Sequence, residues 1–191
     1  MPTLTTPAVI TLILAISLAG VLGYLAVVLW RKVYHSTRMV LGRLGRHRLS
    51  DLVLPDGMDG EIHVDHLFLT TRGILVLELR NASGAVFAGE NLDEWRVIDR
   101  ARRYSFRNPL PGLEARVHAV ETLAGTVPVL GRVAIVGEVT FAGGCPRSVA
   151  TLAEVAEEFN TKRKTAEATT LSDDYMEAWK RIREAIRQAS D

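Results

Sequence analysis

The first thirty residues contain no Asp, Glu, Lys or Arg, although these residues make up 24% of the whole chain. Within them, Ala8–Trp30 is an apolar run of 23 residues that is interrupted only by two hydroxyl residues and two glycines. As a helix, such a run spans about 34 Å, enough for a hydrocarbon core of about 30 Å. A cleaved signal peptide has a basic start and a shorter apolar run. The sequence therefore predicts a transmembrane anchor over residues 1–30.

A basic segment follows at residues 31–48, with six Lys and Arg and no acidic residue. Positive charge on one flank favours the cytoplasmic side. We therefore expect a single-pass protein of the inner or plasma membrane, with its N-terminus outside and its C-terminal domain in the cytoplasm. The lipid bilayer is then a partner, and the small residues Ala15, Ala19 and Gly23 suggest a homo-oligomer through the transmembrane helix.

The remainder of the chain is mildly acidic, with a net charge of −5 after residue 48. This charge argues against bulk electrostatic attraction to nucleic acid. The single cysteine, Cys145, excludes a disulfide framework and a cysteine-built metal site.

Residues 49–160 are predicted to form one domain, and residues 161–191 a C-terminal amphipathic helix. Strands and helices mix without strict alternation, which is typical of an α/β domain with a mixed sheet. The predicted strands are Glu61–Thr70, Gly73–Arg80, Ala85–Gly89, Arg132–Val139 and Val139–Ala142, and the predicted helices begin near Pro111, Val149 and Ser172.

The first two predicted strands form a hairpin around Thr71-Arg72. This turn places Asp65 opposite Glu78, and it places Ile62, Val64 and Phe68 together on the other, apolar face. Opposed carboxylates destabilise strand pairing unless something compensates them. A Mg²⁺ ion between them is one solution. A plain ion cluster with Arg80 is the other, and the residues alone favour it.

The segments 64-VDH-66, 71-TRGI-74 and 78-ELRN-81 resemble the NERD (nuclease-related) domain of the restriction-endonuclease-like superfamily. The resemblance extends through Gly84, Trp95, the segment 108-NPL-110 and His118, and it covers residues 40–160. It implies a restriction-endonuclease-like fold and a nuclease that uses Mg²⁺. In such a site Asp65 and Glu78 would be the metal ligands, and Arg80 would stand at the position of the catalytic lysine.

Three departures from the family pattern weaken the expected nuclease. Residues 33–50 contain no acid, so the ligand that the family places before the first strand is missing; Asp51, Asp56, Asp59 or Glu61 would have to replace it with a different geometry. Arg80 remains protonated and cannot act as a general base. Gly112-Leu113 also stands where the family often has Gln-Asn.

An arginine cluster with interleaved aromatic residues lies at residues 96–107. Its members are Arg96, Arg100, Arg102, Arg103 and Arg107, with Tyr104 and Phe106 between them. Such a stretch suits nucleic-acid binding, but a solvated surface strand has the same composition. We expect a binding or accessory module for nucleic acid with a weakened nuclease site. The alternative is an active Mg²⁺-dependent nuclease that uses Asp65 and Glu78.

Overall fold

The computed structural model describes residues 14–25, 37–56, 60–100, 102–159 and 173–189. The strands are β1 (His47–Pro55), β2 (Glu61–Thr70), β3 (Gly73–Asn81), β4 (Gly84–Phe87), β5 (Glu94–Asp99), β6 (Arg102–Arg107), β7 (Val129–Val136), β8 (Val139–Phe141) and β9 (Val149–Thr151). The described helical segments are α1 (residues 14–25), a short segment at residues 37–41, α2 (Leu110–Ala124), α3 (Leu152–Glu158) and α4 (Asp173–Ala189). Residues Val40–Asp191 form one compact unit and Met1–Met39 another. The predicted mixed α/β class is confirmed.

The predicted membrane anchor is wrong. Within the described ranges, no helix is both long enough and apolar enough to cross a membrane. The single-pass topology at the inner or plasma membrane, the bilayer as a partner and the oligomer through that helix depended on the anchor and are withdrawn with it. The rest of the predicted anchor and residues 31–36 of the basic segment lie outside the described residues.

The larger sheet has the strand order β1-β2-β3-β7-β9. Strands β1, β2 and β3 are antiparallel neighbours, whereas β3, β7 and β9 run parallel. The hairpin prediction is confirmed in detail, because Thr70 pairs with Gly73 and the register continues to His66 and Leu77. Gly73 has a φ of 122°, and a Cβ there would lie 2.2 Å from the carbonyl oxygen of Pro128. Only glycine therefore fits this turn without a backbone shift.

The side-chain alternation of β2 slips by one residue at Asp65 and His66. Val64 packs in the same core as Leu67, although a regular strand would place them on opposite faces. The predicted grouping of Ile62 and Val64 with Phe68 is therefore wrong: Phe68 belongs to the second core, and Ile62 packs against the first. Ladder pairing with β3 ends at His66, one residue before the predicted opposition of Asp65 and Glu78.

A smaller sheet has the strand order β6-β5-β4-β8. Its buried residues, including Trp95, Val97 and Val86, join one face of the larger sheet and helices α2 and α4 in the first core. The second core lies on the opposite face of the larger sheet, where Leu152 and Val155 of α3 are packed. The arginine-rich segment therefore forms β5 and β6, which pair with each other, and the turn between them.

Two elements begin three residues away from the positions expected from the sequence. The helix that we expected from Val149 begins at Leu152, because β9 occupies Val149–Thr151 and Thr151 caps the helix. The Thr151 hydroxyl accepts a hydrogen bond from the Glu154 amide, and the Glu154 carboxylate accepts from the Thr151 amide. This reciprocal pair is a capping box, which fixes the helix start. The strand expected at Arg132–Val139 begins three residues earlier, at Val129.

Candidate functional site

Glu78 is the buried centre of the site. It lies in β3, and only 1% of it is exposed. Burial raises the pKa of Glu78, and the nearby charge of Asp65 adds to this rise, whereas the charges of Arg80 and Arg116 oppose it. A buried carboxylate is costly unless cations and hydrogen bonds compensate it. Its two oxygens therefore determine what the site can bind.

Each carboxylate oxygen of Glu78 contacts one guanidinium group. Nη2 of Arg80 forms an ion pair with Oε1 of Glu78, and Nη1 of Arg116 donates a hydrogen bond to Oε2 at 3.2 Å. Arg116 also donates from Nε to the backbone carbonyl oxygen of His63, at 2.6 Å. A single side chain of α2 thus connects β2 with β3. The pair of Glu78 and Arg80 is the contact that the ion-cluster alternative predicts.

Gly112 leaves space for the Arg116 side chain. The two residues are one helical turn apart on α2, and a Cβ on Gly112 would lie 2.8 Å from Nη1 of Arg116. Glycine at this position therefore lets the guanidinium group lie along the first turn and reach Glu78.

Asp65 contacts the side chain of a histidine, His63. Nδ1 of His63 lies 3.4 Å from Oδ1 of Asp65, and Nε2 of His63 lies 2.6 Å from Oδ1 of Asp51. Asp51 has a left-handed backbone, with a φ of 59°, and is skipped in the pairing of β1 with β2. His63 therefore lies between two carboxylates at the irregular point of these strands.

A cleft of about 400 Å³ opens beside Glu78. It is lined by Glu78, Arg80, Arg107, Asn108, Pro109, Pro111, Gly112 and Arg116. The buried side chain of Asn108 shapes its rim: Nδ2 donates to the carbonyl oxygens of Glu90 and Leu92, at 3.0 and 2.8 Å, and Oδ1 accepts from the Leu110 amide at 3.0 Å. Asn108 thus holds the loop before β5 against the start of α2.

A family model described as "NERD: Nuclease-related domain" matches residues 31–141, which is more than half of the chain. The chain belongs to the nuclease-related domain family. This assignment confirms the resemblance drawn from the hairpin segments, and the matched region contains Asp65, Glu78, Arg80 and the arginine-rich strands. No curated protein and no solved structure matches the chain.

A nuclease-related domain points to use of a divalent metal ion, but the side chains as they are arranged do not fit one. Both oxygens of Glu78 face guanidinium groups. In the part of the chain that the structure describes, no three His, Cys, Asp or Glu side chains come together as a metal-binding group. Mg²⁺ needs oxygen ligands in near-octahedral geometry. Arg80 and Arg116 would have to leave Glu78 before a metal ion could bind there.

The candidate third ligands do not complete the site either. Asp51 contacts His63, and Asp56 accepts a hydrogen bond from the Gly60 amide. Glu61 is exposed at the start of β2, and Asp59 lies outside the described residues. The side chain of His118 is 80% exposed and lies 3.8 Å from Glu121, so it takes no part in the cleft.

The NERD domain contains five arginines that we predicted to bind nucleic acid. They do not all lie on one surface. Arg96 and Arg103 line one groove of about 440 Å³ on the small sheet, together with Phe87, Ile98 and Tyr104. Arg107 instead lines the cleft beside Glu78. Arg100 lies in the turn between β5 and β6 with a φ of 47°, and Arg102 pairs with Asp99 across the two strands.

Arg116 is the site residue that the sequence interpretation missed. A signal was present, because Leu113, Val117 and Val120 define a packed face of α2 and Arg116 lies next to that face. A buried glutamate also requires more than one positive partner. Arg116 and Glu78 are 38 positions apart in the sequence, so local sequence patterns do not predict their contact.

Proposed function

We propose that this NERD domain binds single-stranded nucleic acid through the groove on its small sheet. The observation that carries the proposal is the shared lining of Arg96, Arg103, Phe87 and Tyr104. Guanidinium groups pair with phosphates, and aromatic faces stack on bases whose edges are not paired. In duplex DNA the faces of the bases are stacked on one another and cannot contact an aromatic side chain. The combination of arginines and aromatic residues therefore favours single strands.

The side chains in the groove support this assignment. Phe87, Ile98 and Tyr104 are 41%, 37% and 43% exposed, which is unusual for large apolar or aromatic residues grouped on one surface. Arg96 and Arg103 are exposed, and neither forms an ion pair with any residue that the structure describes. Both cations are therefore free to meet phosphates, even though the domain as a whole is mildly acidic.

The experiment is a salt titration of the full chain binding a labelled single-stranded oligonucleotide, measured by fluorescence anisotropy. We expect the Arg96→Gln/Arg103→Gln variant to bind more weakly and to lower the slope of log K against log salt by about 1.4, since each single-strand phosphate contact contributes about 0.7. Arg183→Gln, an exposed change on α4, is the matched control. Equal slopes for the wild type and the double variant would exclude the groove.

The competing function is a Mg²⁺-dependent nuclease that uses Asp65 and Glu78 as ligands and Arg80 as an electrostatic aid. It is favoured by the contacts that connect the two carboxylates, since Arg116 contacts both Glu78 and the carbonyl oxygen of His63, and His63 contacts Asp65. A titration of Mg²⁺ or Mn²⁺ into wild type and Asp65→Ala separates the two functions. Metal binding that Asp65→Ala abolishes, together with cleavage of an oligonucleotide, would replace our proposal with the nuclease.

A further inference from the structure

We propose that the cleft beside Glu78 binds a phosphate monoester, held by the guanidinium groups of Arg80, Arg107 and Arg116 without a divalent metal ion. The three arginines come from β3, β6 and α2, so the site is assembled only in the folded domain. The cleft lies where the family pattern would place a metal cation, but its arginine side chains suit an anion.

The charge of the lining matches a phosphate monoester. Three guanidinium groups and the single carboxylate of Glu78 give the cleft a net charge of +2. A phosphate monoester carries about −1.5 to −2 at pH 7, whereas an internal phosphodiester carries only about −1. Two other acids lie nearby without lining the cleft: Asp65 contacts His63, and Glu94 pairs with Arg107 across β5 and β6.

The arginines retain donors for such a ligand. A guanidinium group has five N–H donors. Arg116 uses Nη1 and Nε for Glu78 and His63, which leaves its Nη2 group, and Arg107 forms no ion pair with the described residues. Bidentate pairing of arginine with phosphate oxygens is among the stronger charge-assisted contacts in proteins.

The start of α2 adds to the positive field but does not define the site by itself. No acidic residue stands in the first turn of this helix, and its one side-chain partner there is neutral, because Oδ1 of Asn108 accepts a hydrogen bond from the Leu110 amide. The partial positive charge of the helix N-terminus is therefore not neutralised locally. Gly112 of this turn lines the cleft beside the three guanidinium groups.

The cleft, at about 400 Å³, lies in the range of small-ligand sites. Two sources present a phosphate monoester: a free mononucleotide and the phosphorylated end of a nucleic-acid strand. Binding of a strand end rests on the proposed function, whereas binding of a mononucleotide does not.

The test is isothermal titration calorimetry of the full chain in EDTA with three probes: AMP, a 5′-phosphorylated oligonucleotide and the same oligonucleotide with a 5′-hydroxyl. We expect AMP to bind, and Arg107→Gln to weaken it about tenfold, because a charge-assisted hydrogen bond is lost. Arg107 is exposed, so its replacement does not disturb the core. Arg147→Gln is the matched control, since Arg147 is exposed and does not line the cleft.

The effect of Glu78→Gln on the affinity for AMP is expected to have opposite directions for an anion site and for a metal site. Removing the carboxylate frees Arg80 and Arg116 for the ligand, so we expect several-fold tighter AMP binding by this variant. A metal site would lose its ligand and bind phosphate more weakly. Circular dichroism checks that Glu78→Gln is folded, and Arg107→Gln decides the question if it is not.

The outcomes also separate this inference from the proposed function. Unchanged AMP affinity in Arg107→Gln, weaker binding by folded Glu78→Gln, or binding that appears only with added Mg²⁺ would overturn the anion site. If the oligonucleotides bind equally well with and without the 5′-phosphate and AMP also binds, the anion site takes only mononucleotides. If AMP does not bind in that case, the anion site is refuted. AMP binding without any oligonucleotide binding would support the anion site while refuting the proposed function.

Discussion

Arg116 and Glu78 are 38 positions apart in the sequence, yet Nη1 of Arg116 lies 3.2 Å from Oε2 of Glu78. The contact joins α2 to β3 at the most buried carboxylate among the described residues. Because Arg116 is itself only 21% exposed, water screens this pair weakly. The position of α2 and the charge state of Glu78 are therefore linked.

Replacing Arg116 with methionine is expected to lower the free energy of unfolding by about 3 kcal/mol, because it removes one partner of a buried charge. Urea denaturation followed by circular dichroism measures the loss. The control is the same replacement in a Glu78→Gln background, where no charge is left unpaired and the loss is expected to be smaller. Equal losses in the two backgrounds would show that Arg116 acts through packing alone.

The stability of the domain is expected to depend on pH through Glu78. Burial raises the pKa of this carboxyl in the folded chain above its ordinary value of 4.5, so the folded state binds its proton more tightly than the unfolded state does. The resulting stabilisation is fully present below pH 4.5, and it is lost as pH rises through the folded-state pKa.

Urea denaturation of wild type and Glu78→Gln between pH 4 and 8 tests this dependence. The stability of the wild type minus that of the variant is expected to fall as the pH rises, because glutamine does not titrate. A difference that stays constant, or that grows with pH, would contradict the raised pKa of Glu78.

Asn108→Ala is expected to lower the free energy of unfolding by about 2–3 kcal/mol. The change leaves two part-buried carbonyl oxygens of the loop before β5 without the donor that the buried Asn108 side chain supplies. Asn91→Ala, an exposed change in the same loop, is expected to stay within about 0.5 kcal/mol of wild type. Thermal unfolding of both variants measures the difference, and similar losses would argue against the role given to Asn108.

Gly131→Ala is expected to destabilise the domain by about 1–3 kcal/mol through overpacking. A Cβ on Gly131 of β7 would lie 2.7 Å from Cγ2 of Val117 on α2. Val117→Ala removes that methyl group, so the double variant is expected to lose less than the sum of the two single changes. Additive losses in urea denaturation would mean that the helix does not approach the strand this closely.

Local patterns predicted the parts of the fold that depend on neighbouring residues. The hairpin of β2 and β3 followed from alternation and its turn, and Glu61–Thr70 has the predicted bounds. The slip at Asp65 was not predictable, because it arises where Asp51 of β1 departs from regular pairing. The prediction of a membrane anchor rested on the hydrophobicity and length of the apolar run alone, and within the described residues no helix is long and apolar enough to cross a membrane.

The candidate site was predictable only in part, for a similar reason. Glu78 and Arg80 lie two positions apart on one strand, and their ion pair follows from the strand period. Arg116 reaches the same carboxylate from a helix, and only the packing of α2 brings it there. The split of the arginines between two surfaces also depends on the small sheet, which the sequence did not reveal as a separate layer.

Gly112 gives the Arg116 guanidinium room beside Glu78, although it has no side chain of its own. A methyl group at this position would lie 2.8 Å from Nη1 of Arg116, so the flexible end of that side chain would have to shift. In the anion site that we propose, the space left by one missing methyl group therefore lets a single arginine face both the buried acid and the bound phosphate.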